Sequence, residues 1–112
     1  MKREHLVPLP STRRRFRLAE QKFVPALSGC YVLTTFEEDV LYVGLAVDLR
    51  RRMGEHLEDP LKTATTPFGR AFWFYWVETA NRNQVERTWM NIHVSHEGRY
   101  PVLNRMYSPT AV

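Results

Sequence analysis

Two tyrosines followed by an arginine and a histidine are the residues of this chain whose types and spacing could do chemistry. Tyr31 ends the tripeptide Gly-Cys-Tyr at residues 29–31, and Tyr42 begins Tyr-Val-Gly at residues 42–44. A phenol accepts or relays a proton when nearby cations depress its pKa. Arg52 offers a permanently charged fork that suits bidentate contact with phosphate, and His56 adds an acid/base group one helical turn later. Gathered around one surface, these groups fit a phosphodiester substrate.

A β-hairpin and a helix are the elements expected to position these groups. Residues 30–36 and 40–46 are rich in β-forming side chains and are separated by an acidic turn at 37–39. The two tyrosines therefore lie on strands that should pair. Asp48 is a good N-cap, and an apolar stripe with a spacing of four predicts a helix over about 48–58, with Arg52 and His56 side by side along its edge.

The rest of the chain predicts one further strand and one further helix. Residues 59–70 hold two prolines and a glycine and indicate a long loop, in which Lys62 and Arg70 could touch phosphate. Residues 71–79 are continuously apolar until Glu78, which favours a strand covered on both faces over a base-stacking platform. A helix from about residue 84 to 95 should end by Gly98. We therefore expect an α/β (α+β) fold, a small three-stranded antiparallel sheet flanked by helices in the order β-β-α-β-α.

Composition limits the classes of protein to which the chain can belong. With 112 residues, 44% of them apolar, we expect one modest core and no second catalytic domain. The single cysteine, Cys30, cannot form an internal disulfide, which favours a reducing, cytoplasmic compartment. The longest apolar run has seven residues, far fewer than the roughly 20 that span a bilayer, so neither a membrane anchor nor a secretion signal is expected.

Positive charge is concentrated at the N-terminus. Residues 1–28 hold seven Lys or Arg against two Glu, whereas the remainder is close to neutral. We place a boundary near Ser28, between a basic N-terminal arm (1–28) and a domain (29–112). Four arginines around Phe16 have the composition that binds phosphate backbones by counterion release and stacks on bases: Arg13, Arg14, Arg15 and Arg17. The alternative is an exposed, partly disordered arm that only aids solubility.

The second predicted helix carries a carboxylate and two imidazoles. A single carboxylate such as Glu86 could hold at most one hard divalent ion, Mg²⁺ or Mn²⁺, that keeps most of its waters. The competing interpretation is a capping box from Asn83 to Glu86, in which the carboxylate reaches back to the N-cap amide. His93 and His96 are spaced like a zinc pair, but no further ligands stand nearby in sequence, so ordinary surface or interfacial histidines are favoured.

The order of these elements resembles the GIY-YIG nuclease family. Residues 29–31 stand where its first motif would be and residues 42–44 where its second would be. Asp48 and Leu49 followed by Arg52 look like the family's helix with its essential arginine, and His56 falls where many members carry a histidine. Glu86 is similar to the family's metal-binding glutamate, and Pro-Val-Leu-Asn at 101–104, which ends on Asn104, is similar to its closing Pro-x-x-Asn. The resemblance covers about residues 29–105.

This resemblance implies a metal-dependent endonuclease that hydrolyses DNA and leaves 5′-phosphate ends. Tyr31, alone or through Tyr42 and His56, would help to deprotonate the attacking water, and Arg52 would stabilise the pentacovalent phosphate. A metal ion on Glu86 would neutralise the leaving 3′ oxygen. Asn104 would brace the site or contact substrate.

The substrate and the partners stay open at the level of sequence. The resemblance implies DNA, as a branched, damaged or unspecific duplex, in repair or recombination, and a protein partner that supplies specificity. The alternative function is a non-catalytic nucleic-acid-binding module that recruits DNA for a partner, and action on RNA also stays open.

Overall fold

Four antiparallel strands form one sheet in the computed structural model, which describes residues 1–107, with side chains to Asn104. The strands are β1 (Thr12–Arg15), β2 (Gly29–Thr34), β3 (Val40–Ala46) and β4 (Trp73–Glu78), in the spatial order β1-β4-β2-β3. The predicted α+β class with an antiparallel sheet is confirmed. The expectation of three strands is wrong, because the N-terminal segment adds a fourth at the edge.

The hairpin of β2 and β3 is present and sets the register of the two tyrosines. Tyr31 lies opposite Gly44, and Leu33 lies opposite Tyr42. Since alternate residues of a strand share a face, Tyr31 and Leu33 point to the same side of the sheet, and so does Tyr42. Both phenol side chains can therefore contact the elements that pack on that face of the sheet.

Within residues 1–107, four α-helices and two short 3-10 helices surround the sheet. The α-helices are α1 (Leu49–Leu57), α2 (Pro60–Thr63), α3 (Arg82–Glu97) and α4 (Val102–Tyr107), and the 3-10 helices are Arg3–His5 and Leu18–Phe23. The predicted N-cap of α1 is confirmed, because the Asp48 side chain accepts from the Arg51 amide at 3.0 Å. Within residues 1–107, none of the helices is long and apolar enough to cross a membrane.

Helix α2 interrupts the stretch that the sequence predicts as a loop. Asp59 accepts from the Leu61 amide at 2.9 Å, and Pro60 occupies the first helical position. An aspartate followed by proline is a strong helix start, since the aspartate satisfies a free amide and the proline needs none. A turn with a bridge between Thr66 and Gly69 follows.

Hydrophobic side chains pack on both faces of the sheet. On one face the tyrosines pack with the helix α1 side chains Leu49 and Met53, while on the other face Trp89 of α3 is fully buried. The aromatic residues of β4 divide between the two cores: Phe74 and Trp76 face α1, and Tyr75 faces α3. The preference for core over a stacking platform in this strand is confirmed.

Residues 1–28 are folded against the sheet. Strand β1 pairs with β4, with Arg13 opposite Tyr75, and the side chains of Leu6, Phe16 and Val24 are buried. The alternative of a partly disordered arm is therefore wrong for these residues. The division into two units at Ser28 stays a prediction.

Candidate active site

Tyr31, Tyr42 and His56 meet between the hairpin and α1. The Tyr31 hydroxyl oxygen lies 2.5 Å from His56 Nε2, and the Tyr42 and His56 ring centroids are 5.2 Å apart in an edge-on arrangement. Phe74 stacks on Tyr31 from the neighbouring strand, with centroids 5.0 Å apart. The hairpin register supplies the phenols, and the helical stripe that buries Leu49 and Met53 turns His56 toward them. We call Tyr31, Tyr42 and His56 the phenol cluster.

The glycines of the two tripeptides are required by close approach. A Cβ at Gly44 would lie 2.5 Å from the Cζ and hydroxyl oxygen of Tyr31, and 2.8 Å from a ring carbon of Tyr42. A Cβ at Gly29 would lie 2.2 Å from the Val77 carbonyl oxygen of β4. Real structures do not tolerate such contacts, so any side chain at Gly44 displaces the phenol that it covers.

Arg52 is the member of the predicted site that reaches the surface. Its side chain is 36% exposed, and its Nε lies 3.1 Å from Glu55 Oε1. Burial raises the pKa of the Tyr31 hydroxyl well above its usual value, and the charge of Arg52 and its hydrogen bond to this hydroxyl oppose that rise. In contrast, Tyr31 has no exposed surface. Arg52 therefore borders the phenol cluster on one side and solvent on the other.

Burial fixes the protonation states in the phenol cluster. The pKa of His56 is lowered from 6.5 to about 3, first by burial and then by the positive charges of Lys62 and Arg52. The pKa of Tyr31 is raised well above 10, first by burial and then by Tyr42. At neutral pH the imidazole is thus uncharged and the phenol keeps its proton. The expectation that cations depress the pKa of this phenol is wrong, because burial outweighs Arg52.

Lys62 lies next to the phenol cluster, a position that the sequence analysis did not predict. Its side chain is fully buried, its Nζ lies 4.7 Å from the Tyr42 ring centroid, and Asp59 Oδ2 is 3.5 Å away. The missed signal was the Asp-Pro helix start, which turns Lys62 inward. Contact of Lys62 with phosphate stays a prediction, and the burial of its side chain does not favour it.

Glu86 lies on α3, which covers the opposite face of the sheet from α1. The helix begins at Arg82 after the N-cap Asn81, so Asn83 and Glu86 are both inside it and the capping box is wrong. Burial raises the pKa of the half-buried Glu86 although the charge of Arg87 opposes this, and the Glu86 carboxylate in turn helps burial to raise the pKa of the Cys30 thiol. Within the described residues no hydrogen bond or ion pair joins Glu86 to the phenol cluster.

The Glu86 carboxylate could serve as a ligand to a single divalent ion. Among the described residues no group of three or more His, Cys, Asp or Glu could hold a metal ion. A metal held by Glu86 would therefore take its remaining oxygen ligands from water and substrate, as Mg²⁺ commonly does. The half-buried carboxylate, with no hydrogen bond or ion pair among the described side chains, is compatible with that coordination.

Asn104 clamps α4 to the strand that carries Tyr42. Its Oδ1 accepts from the Val43 amide and its Nδ2 donates to the Val43 carbonyl, each at 2.9 Å. Strand β3 is an edge of the sheet, where backbone groups lack a strand partner. The side-chain amide replaces that partner.

The two histidines of α3 do not form a metal pair. His93 is buried, with its Nδ1 2.8 Å from the Arg99 carbonyl oxygen, while His96 lies beside Glu97 at 3.5 Å. The expectation of surface histidines is wrong for His93. Its ring packs under the end of α3 because the chain turns back after Gly98.

The predicted DNA-binding arginines do not form one patch. Because strand residues alternate, Arg13 and Arg15 share one face and Arg14 lies on the other, where it stacks over Phe23 at 4.3 Å. Arg13 is 3.1 Å from Glu38, and Glu20 is 3.5 Å from Arg14 and 3.8 Å from Arg17. The remaining two make no such ion pair with described residues: Arg15 lies over the Phe72 ring, and Arg70 donates to the Thr63 carbonyl.

Comparison with known proteins gives a family and one relative. The GIY-YIG catalytic domain family matches residues 27–98, well over half of the chain. UvrABC system protein C of Finegoldia magna is 38% identical over 45 residues, which make up 40% of this chain and 7% of that protein. The aligned part is thus a small fraction of that relative's length.

Proposed function

The chain belongs to the GIY-YIG catalytic domain family, and from that premise we propose that it is a metal-dependent DNA endonuclease that leaves 5′-phosphate ends. The observation that carries the proposal is the contact of the buried Tyr31 hydroxyl with a neutral His56, directly beneath an arginine at the surface. A core of packed side chains needs none of these polar groups together, whereas hydrolysis of a phosphodiester needs a proton acceptor beside a cation.

Tyr31 and His56 act as a proton relay in this proposal. With the imidazole hydrogen on Nδ1, Nε2 accepts from the phenol. The attacking water loses a proton to the Tyr31 oxygen, the Tyr31 proton passes to Nε2, and the hydroxide bonds to phosphorus as the bond to the 3′ oxygen breaks. The leaving oxygen takes a proton from solvent. Water must enter between Arg52 and Tyr42 to reach the phenol, since Tyr31 itself has no exposed surface.

Arg52 couples substrate binding to this relay. A phosphodiester held by its guanidinium replaces Glu55 and brings a negative charge next to His56. That charge offsets one of the two cations that lower the pKa of His56, so the imidazole becomes a better base when substrate is bound. Binding of the substrate phosphate thus makes His56 a stronger base for the proton transfer.

Glu86 is the residue that would hold the divalent ion. Because Glu86 lies on the face of the sheet opposite α1, a bound Mg²⁺ or Mn²⁺ would neutralise negative charge on the DNA and would not contact the phenol cluster itself. The chain's own residues position the phosphate at Arg52, keep bulk water from the phenol and hold the second motif in place through Asn104.

Partner proteins and a part in DNA repair or recombination complete the proposal. The aligned relative is by its name a component of a system rather than a lone protein, which supports a partner for this chain. The substrate would be DNA with a branch, a lesion or no special feature.

Nicking of supercoiled plasmid tests the proposed activity. We expect nicks with Mg²⁺ or Mn²⁺ and none with EDTA, and a ligase should reseal the nicks without prior phosphorylation because the ends carry 5′ phosphate. Arg52→Ala should abolish nicking, whereas Lys22→Ala, which removes an exposed cation of the 3-10 helix Leu18–Phe23, should keep it. Binding of DNA without nicks under every condition would instead establish the non-catalytic module.

A further inference from the structure

A groove of about 400 Å³ lies where β1 ends and β4 begins, outside the phenol cluster. Aromatic rings and arginines make up most of its lining. The residues that matter for its chemistry are Arg15, Arg17, Arg70, Phe36, Phe68 and Phe72.

Two of the phenylalanines are exposed without a structural reason. The Phe36 side chain is 62% exposed and that of Phe68 is 49% exposed, although the chain has two cores that bury rings of this size. Phe36 rests edge-on against Phe72, with centroids 5.1 Å apart, and lies nearly parallel to Trp73 at 6.5 Å. The other faces of Phe36 stay open to solvent. Apolar surface kept together in this way marks a binding site more often than chance.

Positive charge surrounds these rings. The Arg15 guanidinium lies 4.5 Å from the Phe72 centroid, and Arg70 is oriented by its bond to the Thr63 carbonyl at 3.0 Å. Arg17 is 3.8 Å from Glu20, and Glu37 is the acidic residue in the lining. Three arginines against two carboxylates, Glu37 in the lining and Glu20 beside Arg17, leave the groove with net positive charge, which attracts a polyanion.

We propose that this groove binds an unpaired stretch of a DNA strand, with a base stacked on Phe36 or Phe68 and backbone phosphates held by the three arginines. Stacking on exposed rings beside cations is how single strands are bound without regard to sequence. A duplex keeps the faces of its bases stacked inside the helix, so it can use the arginines but not the rings. The combination therefore selects single-stranded DNA over duplex.

The position of the groove connects it with the proposed active site. A second depression, of about 610 Å³, shares Phe16 and Arg17 with the groove and extends to Gly54 and Glu55 on α1. That helix carries Arg52 and His56. An unpaired strand in the groove would thus lead along α1 toward the cut, a placement that rests on the proposed function, whereas the binding itself does not.

Fluorescence anisotropy in EDTA, with the full chain, tests the groove without any cleavage. The probes are a labelled oligothymidylate of about 12 nucleotides, within the usual range of single-strand sites, and a duplex of the same length. Wild type should bind the single strand more tightly than the duplex. The double variant Phe36→Leu with Phe68→Leu should lose about tenfold or more in affinity for the single strand, while its affinity for duplex changes by less than about twofold.

Matched control variants distinguish base stacking in the groove from the loss of any exposed ring or charge elsewhere on the surface. Phe23→Leu is the control for the rings, since Phe23 is 50% exposed and has cations over its ring but lies outside the groove. Replacing Arg15 and Arg70 by Gln should flatten the salt dependence of single-strand binding by about 0.7 for each lost phosphate contact. Arg87→Gln, exposed on α3, should leave the slope unchanged. Thermal melts verify that each variant is folded.

Several results would overturn the proposal. They are equal affinity for single strand and duplex in wild type, an unchanged single-strand affinity in the double Phe variant, and a loss no larger than that of Phe23→Leu. Tighter binding of oligouridylate than of oligothymidylate would overturn the assignment to DNA. Since no metal is present and no product is measured, these outcomes are independent of whether the chain nicks plasmid.

Discussion

Protonation of His56 should govern the acid stability of this domain. The folded protein holds the imidazole at a pKa of about 3, against 6.5 for an ordinary histidine. As pH falls below 6.5, the unfolded chain therefore binds a proton at this histidine, whereas the folded chain does not. Stability from this group is fully present above pH 6.5 and is lost as pH falls toward 3. At about 1.4 kcal/mol per pH unit, the loss between pH 7 and pH 5 is about 2 kcal/mol.

Urea unfolding at pH 7, 6 and 5 measures this loss, with the fluorescence of the buried Trp89 as a probe. The pKa of His93 is also lowered by burial, so it contributes with the same sign and a comparison of variants is needed. His56→Gln retains an acceptor for the Tyr31 hydroxyl but cannot bind a proton in this range. Wild type should lose about 2 kcal/mol more than this variant between pH 7 and pH 5.

The exposed Asn91 provides the control. Asn91→Gln removes no titratable group and should reproduce the pH dependence of wild type. If the curves of wild type and His56→Gln run parallel over this range, the folded protein binds a proton at His56 as readily as the unfolded chain does, and the lowered pKa of His56 is refuted.

Three further substitutions test the geometry of the site. Gly44→Ala should destabilise the fold by about 1–3 kcal/mol in urea and slow nicking, because the added methyl displaces the phenol beneath it. Asn104→Leu leaves the Val43 amide and carbonyl unpaired and should cost about 1–3 kcal/mol in the same assay, more than an exposed Asn91→Leu. Glu55→Gln frees both Arg52 and Arg51 from exposed ion pairs and should tighten duplex binding by roughly two- to fivefold in anisotropy measurements; unchanged affinity would contradict the replacement of Glu55 by phosphate at these arginines.

Residues close together in the sequence were sufficient to predict the hairpin and α1. Alternating β-forming residues around an acidic turn, and Asp48 before an apolar stripe, depend on neighbours in the chain, and both elements are present. The capping-box prediction for Glu86 failed for the same local reason. An acceptable motif begins at Asn83, but the helix extends two residues further toward the N-terminus, to a cap at Asn81.

The remaining features depend on contacts distant in sequence. Strand β1 has no apolar alternation, and two of its three arginines lie over aromatic rings in or next to β4: Arg13 is 3.7 Å from the Trp73 ring centroid and Arg15 is 4.5 Å from that of Phe72. The inward position of Lys62 depends on the packing of α2 against Tyr42. The raised pKa of Tyr31 depends on its depth in the core, which the residue types around it do not reveal.

The cleavage rate of Tyr31→Phe, compared with that of Tyr75→Phe, tests the central claim most directly. Both phenols are buried, but Tyr75 lies on the other face of the sheet and donates to Glu38 at 2.7 Å. In single-turnover nicking with Mg²⁺, removal of the Tyr31 hydroxyl should lower the rate at least about a hundredfold, as loss of a general acid or base does, without unfolding the protein. Tyr75→Phe should nick at nearly the wild-type rate. A Tyr31→Phe variant that is folded and nicks as fast as wild type would contradict the account.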